Sequence, residues 1–169
     1  LASPAILCAR FLSVANSIAV YWIFGFSVGF WGLAKLVQRL QLTPIGTSLF
    51  AILFNFNGFH VAKLAAGHLQ NVSYFLVPWF FLILMDVIGS SADTEKRRFP
   101  IALQFAFLVS FGLAQGSTLV VYQMAVVAGL VVLFFPKTIP WYLVSVGIAV
   151  LFSSFAVFPN LLYSPYSSF

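Results

Sequence analysis

Acidic side chains are almost missing from this chain. Its 169 residues carry three Asp and Glu against eight Lys and Arg, and charged residues of both signs make up only 7% of the whole. A water-soluble globule needs roughly a quarter of its residues charged, so that class is excluded. The single cysteine, Cys8, rules out an internal disulfide, and no CxxC or Cys/His array is present to hold zinc. There is no Walker motif, nucleophile elbow, HExxH or GxGxxG loop, and no cofactor or metal is expected. Hydrocarbon takes the place of charge. Apolar residues make up 62% of the chain and aromatics 18%, with 21 Phe, and the mean hydropathy is +1.06. A chain this apolar cannot stay solvated as a coil, which leaves lipid as its solvent.

Crossing a hydrocarbon core of ~30 Å takes about 20 mostly apolar residues in a helix. Six stretches meet or approach that length: 14–35, 44–62, 73–90, 99–115, 117–135 and 139–158. Pro44, Pro100 and Pro140 are each expected in a first turn, where a missing N–H is harmless. Gly89-Ser90-Ser91, Gly116 and Pro136-Lys137 separate neighbours, and the polar run from Gly89 to Arg98 reads as a solvated loop. Residues 1–13 are too short to cross alone and read as an interfacial helix or the start of the first span. The runs are too long for barrel strands and do not alternate with period two. The expected fold is all-α, a polytopic transmembrane helical bundle of about six spanning helices with a short N-terminal interfacial helix. It forms one domain over 1–169, expected to be a segment of a longer membrane protein because the sequence opens on Leu1.

Basic residues sort by side. Lys35 and Arg39 follow the first span, Lys96, Arg97 and Arg98 the third, and Lys137 the fifth, whereas the opposite side receives only Arg10 and Lys63. Positive-inside counting makes the six-charge side cytoplasmic. The basic pI is thereby a product of topology, and nucleic acid is not an expected partner.

Polar groups gather most densely from Asn55 to Asn71, on the outer side in this orientation. Both histidines of the chain, His60 and His68, are here with Asn57, Lys63 and Gln70. In a helix, Asn57, His60 and Lys63 would share one face, while Gly58 and Gly67 permit a bend or a close backbone approach. Imidazoles, a lysine and amides make a cradle for phosphate oxygens and sugar hydroxyls. The same residues also suit an interfacial belt that ends two helices, and Lys63 can snorkel to water unaided. Two histidines without an outer carboxylate fall short of a metal site, although a lone His among aromatics can ligate a pigment metal. Gln115, Gly116, Ser117, Tyr122 and Gln123 form a second group, read as close helix packing with amides bonding between helices. Asp86 reads as an interfacial partner of the 96–98 cluster or as a relay carboxylate. Trp22, Trp31, Trp141 and Tyr163 are expected to anchor or pack.

Asn57-Gly58-Phe59-His60, Gly67-His68-Leu69-Gln70, the aromatic run Tyr74 to Pro78-Trp79, Gly112 to Gln115-Gly116 with Tyr122, and Leu151 to Pro159 together resemble the YfhO-like bacterial membrane proteins and related members of the GT-C glycosyltransferase superfamily. The likeness spans about residues 1–165. It implies a polytopic enzyme that transfers a sugar from a polyprenyl-phosphate donor on the extracytoplasmic side. His60 and His68 would then line the donor-phosphate or acceptor cavity, with Lys63 and Arg10 supplying positive charge. The superfamily's catalytic Asp lies in an outer loop that the resemblance puts ahead of Leu1. No catalytic residue is therefore assigned in this chain. The alternative expectation is a non-catalytic accessory subunit of a larger respiratory, photosynthetic or transport complex, because no carboxylate falls on the outer side. A transporter is a third and weaker fit, without paired broken helices. Membrane lipid is the expected partner in every case. Amine labelling of intact cells should leave Lys96 unmodified while the 57–71 segment is reached, and modification of Lys96 from outside would reverse the orientation.

Overall fold

The computed structural model describes the backbone of residues 11–55, 69–89, 95–114 and 118–163, and the side chains of 11–54, 72–89, 99–114 and 118–154. Among the described residues every regular element is helical. In chain order these are α1 (Val14–Leu40), α2 (Pro44–Asn55), a 3₁₀ segment (Leu69–Leu76), α3 (Val77–Gly89), α4 (Glu95–Ala114), α5 (Thr118–Phe134), a 3₁₀ turn (Pro136–Thr138) and α6 (Ile139–Tyr163). The all-α expectation holds. Three helical stretches, Val14–Leu40, Val72–Gly89 and Pro136–Ser154, are long and apolar enough to cross a membrane. Shorter apolar helical stretches are Pro44–Phe54, Phe99–Ala114 and Thr118–Phe134, the second being the apolar part of the 20-residue α4. The expected interfacial helix over 1–13 falls almost wholly outside the described residues, as does the second half of the 44–62 span.

Local chemistry sets the boundaries. Ser13 caps α1 by accepting the Asn16 N–H at 3.3 Å. The helix runs to Leu40 rather than 35, ending where Gln41 turns left-handed at φ 53°. There the Gln41 and Leu42 N–H groups donate to the carbonyls of Gln38 and Val37, both at 3.3 Å. Thr43 then opens α2, its Oγ1 accepting from the Gly46 N–H at 3.2 Å. Pro44 occupies the first turn as expected, but Pro100 does not. α4 starts at Glu95, inside the run expected to be loop, and holds Pro100 within it. Glu, Lys and Arg are good helix formers, and Glu95 complements the positive N-terminal end of the helix dipole. α6 likewise continues past the expected end at 158, through Pro159, to Tyr163.

The chain packs as two compact units, about residues 2–82 and 83–169. The core of the first is Tyr21, Leu33, Phe54, Val72 and Phe75. One stripe of α1 is buried, and it is mostly small: Ser17, Tyr21, Gly25, Gly29, Gly32, Leu33 and Leu36. In the second unit α4 packs on α6 through two rows of small residues, Ala102, Ala106 and Ser110 against Ser145, Ala149 and Ser153. In lipid there is no hydrophobic gain from helix association, so close backbone approach at small residues supplies the packing energy. Phe105 meets Trp141 edge-on at 5.2 Å. With Ser110 beside Ala149 and Ser153 further along, the two helices run in the same direction, as alternate spans of a serpentine chain must.

These contacts separate two kinds of glycine. A Cβ on Gly29 would lie 2.8 Å from the Cβ of Phe75, whereas one on Gly147 would meet nothing within 4 Å. Thermal unfolding should show Gly29→Ala destabilised by ~1–3 kcal/mol through overpacking. Gly147→Ala should be neutral or gain ~0.5–1 kcal/mol of helix propensity.

Candidate functional site

Of the residues expected to bind ligand, Arg10, Asn57, His60, Lys63 and His68 lie outside the described residues. Gln70 is described by its backbone alone, within the 3₁₀ segment. The described chain resumes directly after His68, at a 3₁₀ segment seated on α1.

That seat is built from glycines. Val72 packs over Gly25, Phe75 over Gly29 and Trp79 over Gly32, each so close that an added Cβ would fall within 2.5–2.8 Å of the side chain opposite. The contact numbers rise together on both elements, so Leu69–Gly89 runs parallel to α1. The first and third apolar runs thus share a direction, as the serpentine path requires. Bare backbone at Gly32 also lets the Trp79 indole N–H donate to the Val28 carbonyl at 2.9 Å. The indole stands edge-on to Trp31 at 5.2 Å, and the Lys35 ammonium lies 5.8 Å from the Trp31 ring centroid. On the other side Tyr74 stacks on Phe54 at 4.8 Å, and Phe26 closes on Phe75 at 4.3 Å. Phe75, Pro78 and Phe80 are almost completely enclosed.

The sequence reading treats Trp79 and Phe80 as plain apolar body and misses this seat. The signal that exposes it is Gly25-x-x-x-Gly29 inside the first apolar run, a spacing that puts two bare backbone positions on one helix face.

The second unit contains a cavity of about 410 Å³ among α4, α5 and α6. Its size falls within the ~300–1,000 Å³ usual for small-molecule sites. Phe105, Val109, Ala125, Tyr142, Val150 and Ser153 are among its walls. The Ser153 hydroxyl donates to Ser110 Oγ, and the Ser110 hydroxyl donates to the Ala149 carbonyl, both at 3.3 Å. The serines therefore satisfy each other and the interior presents hydrocarbon. Such a space accepts an apolar chain, and its walls carry no acid–base pair. Among the described residues no group of three His, Cys, Asp or Glu can hold a metal.

Other expectations resolve differently. Gln115 to Ser117 lie outside the described residues, and Tyr122 and Gln123 are exposed on α5. Close packing at that end comes instead from Gly112, where a Cβ would fall 2.6 Å from Val121 Cγ2. Asp86 is exposed near the C-terminal end of α3, while the side chains of Lys96 to Arg98 lie outside the described residues. Trp141 is a packing residue, buried to 4% exposure. No family model, curated protein or solved structure matches this chain.

Proposed function

We propose that this chain is the membrane-embedded core segment of a GT-C-like glycosyltransferase, binding a polyprenyl-phosphate-linked sugar at the extracytoplasmic face. In this reading it lies in a bacterial inner membrane, with Lys35, Arg39, Lys96, Arg97, Arg98 and Lys137 cytoplasmic. Lys63 and Arg10 balance the phosphate charge, and His60, His68, Asn57 and Gln70 hydrogen-bond its oxygens and the sugar hydroxyls. The observation that carries the reading is the glycine seat. Binding groups work when a rigid element holds them to within about half an ångström. In its 3₁₀ form the segment that follows Gly67-His68 packs tightly on α1 through Val72, Phe75 and Trp79.

The charge distribution favours a second reading, a non-catalytic accessory subunit of a larger membrane complex. The three carboxylates, Asp86, Asp93 and Glu95, cluster around the loop assigned to the cytoplasm. A base for sugar transfer, normally Asp or Glu, must then come from outside residues 1–169.

Binding of a polyprenyl-phosphate sugar to the full-length protein in lipid nanodiscs separates the two. Loss of a charge-assisted contact in His68→Ala should weaken binding about 10–100-fold. Unchanged affinity would contradict the assignment. Absence of donor binding together with co-purification at fixed stoichiometry would favour the accessory subunit.

A further inference from the structure

A 3₁₀ run of eight residues, Leu69–Leu76, is unusual, because such helices rarely exceed three or four. Two features hold it. Pro78 has no N–H to donate, and its ring would press on the carbonyl of Tyr74 if the preceding turn were α-helical. The seat also matches a 3₁₀ rise. Gly25 to Gly29 is four α-helical residues, ~6 Å. Val72 to Phe75 is three 3₁₀ residues, also ~6 Å, and both side chains face the same way. As an α-helix the same pair would be only ~4.5 Å apart and turned out of line.

One group favours the alternative. Ser73 is buried and its hydroxyl has no hydrogen-bond partner among the described residues. Helical serines are satisfied, Ser154 by the carbonyl three residues back and Ser110 and Ser153 across the helix pair, and four of them use one bond in common. Ser17, Ser27, Ser48 and Ser145 each donate to the carbonyl four residues back, at 2.8–3.0 Å. In α geometry the same bond would be open to Ser73, with the Leu69 carbonyl accepting.

We propose that Leu69–Leu76 is a two-state element, held as a 3₁₀ helix by Pro78 and the Gly25/Gly29 track and drawn toward an α-helix by the Ser73 hydroxyl. Conversion shortens eight residues by ~0.5 Å each, moving Leu69 by ~4 Å along the axis of α1. The backbone at Leu69 moves with it, and this holds whatever the chain binds.

A disulfide reports the state. A Cβ at position 25 lies 3.9 Å from the Val72 Cβ, within the ~3.5–4.5 Å that a disulfide bridges. The full-length protein with Cys8→Ser, Gly25→Cys and Val72→Cys, in a bilayer, should cross-link readily on mild oxidation. Adding Pro78→Ala should slow cross-linking about three-fold or more, by making the 3₁₀ form the minor state. Adding Ser73→Ala to that variant should recover the rate, because the α state loses its extra hydrogen bond. No cross-link in the parent pair, an unchanged rate with Pro78→Ala, or no recovery with Ser73→Ala would each overturn the proposal. Hydrogen exchange on the unsubstituted protein tests it without any variant. Amides of 70–76 should exchange about ten-fold or more faster than those of 80–87, and equal protection would contradict two states.

Discussion

Close approach between bare helix backbone and large aromatic side chains is the constraint on which the first unit depends. In lipid, water does not drive apolar groups together, so a helix pair gains stability only from contacts tighter than those lipid offers. Gly25, Gly29 and Gly32 supply the bare surface, and Val72, Phe75 and Trp79 fill it. The Trp79–Val28 hydrogen bond adds direction, because it satisfies an indole N–H that is costly to leave unpaired in hydrocarbon. From this register follow the parallel course of α1 and α3 and the enclosure of Phe75 and Phe80.

The second unit solves the same problem with smaller groups on both sides. Ala102, Ala106 and Ser110 face Ser145, Ala149 and Ser153, and serine hydroxyls bond across the interface. Small residues on both helices bring α4 and α6 together, but beside Ala125 and Ala149 they leave volume unfilled, which opens as the apolar cavity. Tight packing and a hydrocarbon-lined space thus arise from one residue pattern. In both units the chain's chemistry is that of lipid and aromatic contact. Most of the polar groups suited to phosphate fall in the sequence between α2 and the 3₁₀ element, with Gln70 inside that element and Arg10 ahead of α1.

Composition made the helical class legible, because no other fold accommodates runs this apolar. Some boundaries were legible as well, through Pro44 and the Pro136-Lys137 break. Others were hidden by competing signals. The charged run Glu95 to Arg98 resembles a solvated loop but consists of strong helix formers, so α4 begins earlier and Pro100 sits inside it. The 3₁₀ segment was not legible, since periods of 3.0 and 3.6 are indistinguishable in an almost wholly apolar stretch. Only Pro78 marks the change. Sequence reading found the polar segment from its histidines and amides yet missed its support, because glycines in an apolar run look like filler until their four-residue spacing is noticed. The cavity depends on which small residues face one another across three helices, information that no single stretch contains.

The most direct test of the glycine seat is a double-mutant cycle in unfolding free energy between Gly29→Ala and Phe75→Ala. Phe75→Ala removes the ring atoms that lie 2.8–3.1 Å from an added Cβ and leaves only the Cβ of residue 75, so the methyl group added at 29 should cost less once Phe75 is already Ala, giving a coupling of at least ~0.5 kcal/mol. Additive effects with no coupling would mean that the two positions do not touch, and the seat would not exist.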